Sequence, residues 1–397
     1  MSGWKLSRRI AALSPSSTTA AGRKAKALAA TGVDVVDLSI GEPDFPTPEF
    51  VGRAGVRAIE AGKTRYTDVS GEATLRDAIA AKYAREQGAP ATRENVIVTA
   101  GAKQAVFNVC QALFEEGDAV ALFSPYWVSF PEMVRLTGAS PALVPTDIAS
   151  GWHPTADLLE RHAPAASRGV ILNSPNNPTG AVVDADELLR IVEWCAARGA
   201  WLVYDETYDR FLFDGRRHAS AALLRSRYER IAVTGAASKT WAMTGWRLGW
   251  VVGPADLVAA IAAYQSHTTS NASSISQAAA LEALTDIDST AAAVEAMLAR
   301  YEARRRLMVE GLGRVKGIRC PKPEGAFYAF ADVSALSERL GTPGSAGFCD
   351  RLLAEAHVAA VPGDAFGDDA CVRFSFATDE ARIAEGVRRI ADWAASA

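Results

Sequence analysis

RIAVTGAASKTWAMTGWRLGWVVG, residues 230–253, sets two short apolar runs on either side of a lysine and an arginine. The runs RIAVTGAAS (230–238) and LGWVVG (248–253) are uninterrupted rather than alternating, the pattern of strands covered on both faces. Between them lie Lys239 and Arg247, in a stretch that also holds Trp241, Trp246 and Trp250.

The same kind of run recurs at VIVTA (96–100), AVALFS (119–124), GVILNS (169–174) and AWLVYDE (200–206). Helix-patterned segments separate them, among them KQAVFNVCQALFEEG (103–117) and DADELLRIVEWCAARG (184–199), each ending in glycine, a common helix stop. This alternation predicts an α/β fold with a mostly parallel central sheet flanked by helices. The pattern changes after STAAAVEAMLARYEARRRLMVEGLG (289–313), which reads as one long helix. Beyond it FYAFADV (327–333) and VRFSFA (372–377) read as strands among amphipathic helices, a smaller α+β lobe. The segment up to residue 48, rich in Ser, Thr, Ala and Pro, fits neither unit by pattern alone.

Of the 397 residues 49% are hydrophobic and 22% charged, with a formal net charge of −4, an ordinary globular composition. That balance gives no electrostatic footprint for nucleic acid. No stretch approaches the roughly 18 apolar residues of a membrane span, and the apolar run near the N-terminus is short for a signal peptide. A cytoplasmic protein is expected. The five cysteines form no CxxC pair and read as reduced core thiols; the five histidines form no HxxxH or HExxH, so no metal site is expected.

Chemistry concentrates at a few positions. An amine attacks a carbonyl only when unprotonated, so a nucleophilic lysine sits where its charge is disfavoured. Gly235, Ala236, Ala237 and Ser238 leave room beside Lys239 for a bulky group. Read alone, Lys239 is equally a surface lysine at a strand end, and Arg247 an ion-pair residue. Together they point to a bound anion beside a covalent handle. Gly101-Ala102-Lys103 joins a strand to a helix, where exposed backbone N–H groups take a phosphate or simply make a turn. Asp205 ends the run WLVY, placed to meet a buried cation, to cap the next element or to lie in a loop; Tyr208 follows, to reach a ligand or to pack. NSPNNPTG (173–180) is turn chemistry that also puts amide donors at a strand's C-terminal end. Arg373, inside VRFSFA, calls for a carboxylate or phosphate, from a substrate or from a structural salt bridge.

The order of these stretches is more specific than any one of them. GEPDFPTP (41–48), GKTRYTDVSG (62–71), GAK (101–103), SPYW (124–127), NSPNNPTG, YDETY (204–208), SKTWAMTGWRLG (238–249) and VRFSFA together resemble the class I aminotransferases of pyridoxal-phosphate fold type I. The likeness runs from about residue 14 to the C-terminus and is nearest the prokaryotic aspartate aminotransferase branch, some members of which also accept prephenate or arogenate. It implies a large cofactor-binding domain at 49–288 and a small domain made of 1–48 and 289–397. Lys239 matches the lysine that bonds to pyridoxal 5′-phosphate and later moves the proton between substrate Cα and cofactor. Asp205 matches the partner of the pyridinium nitrogen. Asn177 and Tyr208 match the pair on the phenolic oxygen, and Trp127 the aromatic stacked on the ring. Gly101, Ala102, Lys103, Ser238 and Arg247 match the phosphate cup, with Tyr66 reaching in from a partner subunit. Arg373 matches the grip on the substrate α-carboxylate, with Gly41 and Asn177 beside it.

The resemblance thus implies a homodimer that moves an amino group between an acidic L-amino acid and a 2-oxo acid by a ping-pong route. A lyase or cyclase of the same fold, or an aminotransferase for prephenate or another specialised substrate, is the alternative. Relatives outside this branch hold the side-chain carboxylate with a partner arginine, but AYQSHTTSNAS (263–273) offers Gln265, Ser266 and His267 there. Lys103, with Ser16 and Thr18, is the expected reader of an acidic side chain. Ala236 replaces a serine of some relatives, Trp241 a common phenylalanine, and GEATLR (71–76) lacks a frequent proline. Trp241 is left as pocket wall or core, and Trp246 and Trp250 are assigned to packing.

Overall fold

The computed structural model describes residues 5–11, 13, 15 and 17–396; Ser16 lies outside the described residues. Strand β1 (Val36–Asp37) belongs to the N-terminal segment. The central sheet is made from β2 (Val96–Thr99), β3 (Ala119–Ser124), β4 (Ser140–Pro145), β5 (Gly169–Asn173), β6 (Trp201–Asp205), β7 (Ile231–Ala236) and β8 (Gly249–Val252). Four short strands follow: β9 (Tyr328–Asp332), β10 (Val358–Ala359), β11 (Val361–Pro362) and β12 (Cys371–Ser375).

The seven-stranded sheet runs β2-β8-β7-β6-β5-β3-β4. Its pairings are parallel except for β8, which is antiparallel to both β7 and β2. The apolar runs of the sequence become its buried strands, and β2, at one edge, is buried along its whole length like β5 and β7. β4 escapes that pattern: it is a half-exposed edge strand bounded by Pro141 and Pro145, and an edge tolerates proline because one side of its backbone needs no partner.

Because β8 runs against its neighbours, its first residue meets the last residues of β2 and β7. Gly249 pairs with Thr99 and Ala236, and Asp205 pairs with Asn173 and Thr234. The ends of β2, β5, β6 and β7 thus form one row along one edge of the sheet, where open α/β sheets hold ligands.

The helix that follows β2 spans Ala102–Leu113, shorter than the sequence pattern implied. Phe114, buried and extended, ends it, and Gly117 lies in the turn beyond. The helix Ala185–Arg198 does end on left-handed Gly199, and Asp184 caps its start by accepting from Glu187 N. The long connector is one helix, Ile287–Gly313.

β11, β12 and β9 form a small antiparallel sheet in which Arg373 pairs with Val361 and Phe330. β1 pairs in parallel with β10, so the N-terminal segment is stitched to the C-terminal lobe. A cluster of Tyr301, Phe211, Phe327, Phe374 and Phe376 fills the space beneath. All five cysteines are unpaired.

Candidate active site

Lys239 sits on a one-turn helix, Ala237–Thr240, directly after β7. Its Nζ donates to the Gly41 carbonyl at 2.6 Å and lies 5.7 Å from the Phe327 ring centre. Burial pulls its pKa down to about 8; Glu42 opposes that pull, and Arg373 and Arg247 add to it. The amine is therefore far easier to free of its proton than an exposed lysine. The small residues ahead of it have concrete neighbours. A Cβ on Gly235 would come within 2.6 Å of the Trp250 indole, and one on Gly249 within 2.6 Å of Ala102 N. Trp250 packs beneath the lysine segment, as expected. Trp246 packs on Gly55 and donates to Thr47 Oγ1 at 3.0 Å. Trp241 is buried against Trp250 and is core, not pocket wall.

At the end of β6 the Asp205 carboxyl is buried, and Thr207 donates to its Oδ1 from N at 3.0 Å and from Oγ1 at 2.6 Å. Burial raises its pKa to about 6, with Thr207 pulling the other way. Asn173, at the end of β5, donates from Nδ2 to the Asp205 carbonyl and accepts from Asn177 N at 2.8 Å. This fixes the asparagine loop to β6. Tyr208 is buried, with its hydroxyl 2.9 Å from that of Tyr328.

Arg373 is 2% exposed. Its Nη1 donates to Asn177 Oδ1 at 3.0 Å and its Nη2 to the Ser39 carbonyl at 2.8 Å. It stacks 4.3 Å from the Tyr328 ring, and its Nε has no partner among the described residues. No carboxylate among the described residues pairs with it, so the salt-bridge alternative falls away. Gly41 stands next to it: a Cβ there would lie 3.3 Å from the Tyr328 hydroxyl and 3.9 Å from Arg373 Nη2.

Gly101 has φ +90°, and a Cβ on it would reach within 2.7 Å of Arg247 Nη2. Only glycine suits both demands. Arg247 is itself left-handed at φ 56°, held by bonds from Nη1 to the Thr244 carbonyl at 2.7 Å and from Nη2 to the Ala100 carbonyl at 3.4 Å. The guanidinium thus leans over the start of the helix Ala102–Leu113, whose free N–H groups and dipole favour an anion. Lys103 lies 5.0 Å over the Trp127 ring; burial, then Arg247, lowers its pKa.

One cavity of about 600 Å³ joins these groups. It is lined by Gly41, Ala102, Lys103, Trp127, Asn177, Asp205, Tyr208, Ser238, Lys239, Arg247 and Arg373, and Thr18 reaches it from the helix Ser17–Ala29. Tyr66 lies apart from it and is 89% exposed. Gln265 points elsewhere: it is buried, accepting from Asn108 and donating to the Val69 and Val98 carbonyls. Asn173, Thr207, Tyr328, Glu42, Arg23 and Lys26 also line the cavity and were not singled out by the sequence. Tyr328 was legible only as part of an apolar strand.

The donor set suits pyridoxal phosphate. A depressed-pKa amine stands near a buried carboxyl, a phenol and an amide share the same wall, and an indole lines one side. Beside it is a cradle of backbone N–H groups that a single Cβ would fill. A mostly parallel sheet with this constellation at its strand ends defines a fold type I pyridoxal-phosphate enzyme.

The chain belongs to the aminotransferase class I and II family, which residues 33–390 match. It is 40% identical to the probable aspartate/prephenate aminotransferase of Aquifex aeolicus, over 97% of both chains. It is 39% identical to the aspartate aminotransferase of Geobacillus stearothermophilus, over 97% of this chain and 98% of the relative. The structure of Thermus thermophilus aspartate aminotransferase with maleate superposes with a TM-score of 0.93 at 41% identity, covering 98% of this chain and 99% of that one. Pyridoxal 5′-phosphate is the cofactor, and the chain is a transaminase acting on amino acids and 2-oxo acids.

Proposed function

We propose that this transaminase takes acidic substrates, aspartate or glutamate against their 2-oxo acids, by a ping-pong route. The observation that carries the reading is a pair of cations without carboxylate partners among the described residues: Arg373 deep in the cavity and Lys103 nearer its opening. A buried guanidinium held at both ends by neutral oxygens asks for an anion. Arg373 binds the α-carboxylate, and Lys103 reads the side-chain carboxylate with Thr18 near it; Ser16 is assigned to the same task from the sequence.

When bound, the cofactor supplies an aldehyde carbon and an electron-withdrawing ring. Lys239 would carry the proton between substrate Cα and the cofactor's aldehyde carbon; a pKa of about 8 suits it to both taking and giving. Asp205 keeps a negative charge against the ring nitrogen once that cation is present. Tyr208 and Asn177 hold the ring oxygen, and Asn177 also steadies Arg373. Trp127 shields the ring face from water. Gly101, Ala102, Ser238 and Arg247 hold the phosphate.

We also propose the domain division 49–288 and 1–48 with 289–397, supported by the pairing of β1 with β10. A homodimer is the third part of the reading. The exposed ring of Tyr66 needs a neighbour's cup, and an apolar cavity of about 800 Å³ beside Lys103 and Arg247, lined by Phe107, Tyr126 and Leu136, gives a partner room to dock. A cytoplasmic location is supported by the five unpaired cysteines. Among the described residues no helix is long and apolar enough to cross a membrane.

Single-turnover spectroscopy tests the substrate reading. Aspartate or glutamate should bleach the cofactor's visible absorbance and release one 2-oxo acid per site. Ammonia release would point to a lyase instead. The relatives named for prephenate make it the second acceptor to compare.

A further inference from the structure

The Lys239 amine has two close neighbours, and both rest on one turn of the long helix Ile287–Gly313. The first is the Gly41 carbonyl, which accepts from Nζ at 2.6 Å. A little further along the chain, Asp44 takes both arms of the Arg304 guanidinium, Nη1 on Oδ1 at 2.8 Å and Nη2 on Oδ2 at 2.9 Å. Phe45 lies 5.0 Å from the same guanidinium and meets Tyr301 edge-on at 5.4 Å. The second neighbour is the Phe327 ring, itself 5.4 Å from Tyr301. Tyr301 and Arg304 are one helical turn apart and share a face.

Arg304 is 2% exposed, and its carboxylate partners are Asp44 and, 3.6 Å from Nε, Glu380. A forked pair of this kind fixes direction as well as distance. The strip around Gly41 has other ties. Upstream it is fixed by the pairing of β1 with β10, and the Ser39 carbonyl is held by Arg373. Downstream, Thr244 donates to Glu42 at 2.8 Å, and Thr47 donates to the Ala242 carbonyl at 2.8 Å. Those last two join the strip to the loop that follows Lys239. Among the described residues, the Asp44 pair is the strip's charged tie to the long helix.

We propose that Arg304 is a positioning residue for Lys239: through Asp44 it sets where the Gly41 carbonyl meets the amine. The proposal rests on reading Lys239 as the lysine that moves the substrate proton. Burial, Arg373 and Arg247 favour the neutral amine, whereas Glu42, Asp205 and a carbonyl acceptor favour the protonated one. If Arg304 releases the strip, the acceptor and Glu42 weaken together, and the amine gives up its proton at lower pH.

The test uses Arg304→Met, Arg304→Lys, Asp44→Ala and the double variant of Arg304→Met with Asp44→Ala. Arg300→Gln is the control, because it cuts another arginine of the same helix from Glu380 without touching the strip. The Asp44 side chain is 29% exposed, and its removal leaves Arg304 with Glu380, so Asp44→Ala carries the test if Arg304→Met does not fold. In the cofactor-free protein, trace acetic anhydride acylates the neutral form of an amine, and mass spectrometry of the Lys239 peptide follows labelling against pH. Half-maximal labelling, near pH 8 in the wild type, should move to lower pH in Arg304→Met and Asp44→Ala and stay in place in Arg300→Gln. In the holoenzyme, kcat with aspartate should fall about tenfold while KM changes less than about twofold, because Arg373 keeps its own anchors. Arg304→Lys keeps the charge without the fork and should recover part of the loss. The double variant should lose no more than the worse single one, since both break the same bond. Additive losses, an unmoved labelling curve, or an equal shift in Arg300→Gln would each overturn the proposal. If aspartate were not turned over, the substrate reading would fall, and the labelling curves would still decide the role of Arg304.

Discussion

The hydroxyls of Tyr208 and Tyr328 meet at 2.9 Å, and the Tyr328 ring lies under the Arg373 guanidinium at 4.3 Å. One tyrosine thus touches both the group assigned to the cofactor's ring oxygen and the group assigned to the substrate's carboxylate. Tyr328→Phe keeps the ring and deletes the bond. A buried hydroxyl that loses a partner costs about 1–2 kcal/mol, so kcat/KM should fall about tenfold while the thermal midpoint stays within a few degrees. The pH titration of the bound cofactor's absorbance should shift as well. An unshifted titration would show that Tyr208 needs no help from Tyr328.

Arg373 has no charged partner among the described residues, so its removal separates binding from stability. Arg373→Met should cut kcat/KM by about 100-fold or more, as loss of a buried carboxylate grip does. The cofactor-free protein should become no less stable, because an uncompensated buried cation is lost with it. Arg373→Lys keeps charge without the fork and should recover little activity. Parallel melting curves and steady-state kinetics check both halves.

Asp205 gives a pH signature with a definite sign. Its folded pKa of about 6 lies above the ordinary value of 3.8, so the cofactor-free folded state binds more protons than the unfolded chain between those values. That stabilisation is complete below pH 3.8 and is lost as pH rises through about 6. Relative to Asp205→Asn, the cofactor-free wild type should lose about 3 kcal/mol between pH 3.8 and neutrality. Comparing the two proteins removes the opposite trend of acids such as Glu385, whose pKa its arginine neighbours hold at about 2. Denaturant titrations across that range measure it; a constant difference between the proteins would refute the assignment.

Gly101→Ala tests the anion cradle. The new methyl would stand 2.7 Å from Arg247 Nη2 at a backbone angle that disfavours side chains. A loss of about 1–2 kcal/mol in stability is expected. Phosphate-dependent cofactor affinity should weaken more than tenfold as Arg247 is pushed aside, measured by equilibrium dialysis of pyridoxal phosphate. Affinity equal to wild type would mean that the cup does not depend on this close approach.

Much of the sheet was readable because buried strands must be apolar on both faces, and β2, β3, β5, β6 and β7 all are. The direction of β8 was not readable, since an apolar run looks the same in either orientation; its pairing with both β2 and β7 decides it. β4 hid because SPALVP is half-exposed and bears two prolines. The helix after Gly101 is shorter than its apolar pattern because Phe114 continues the rhythm after the backbone has turned extended. Lys239, Asp205, Asn177, Arg247 and Arg373 stood out as polar groups in apolar or turn-rich settings. Tyr328 did not, because a tyrosine in FYAFADV looks like any core strand residue. Arg23 and Lys26 look like the wet side of an ordinary helix, and only the tertiary fold turns that side toward a cavity.

The stitch between β1 and β10 is two residues long, yet it is reinforced on both flanks. Leu38 N donates to the Ala359 carbonyl at 2.9 Å, Ser375 N donates to the Leu38 carbonyl at 2.8 Å, and Arg373 Nη2 holds Ser39. The N-terminal segment that lines the cavity and the arginine inside it are therefore one mechanical piece, although they lie at opposite ends of the chain. A tag or truncation that unseats residues 36–39 would slacken Arg373 without touching it, so care at the N-terminus is care of the substrate grip.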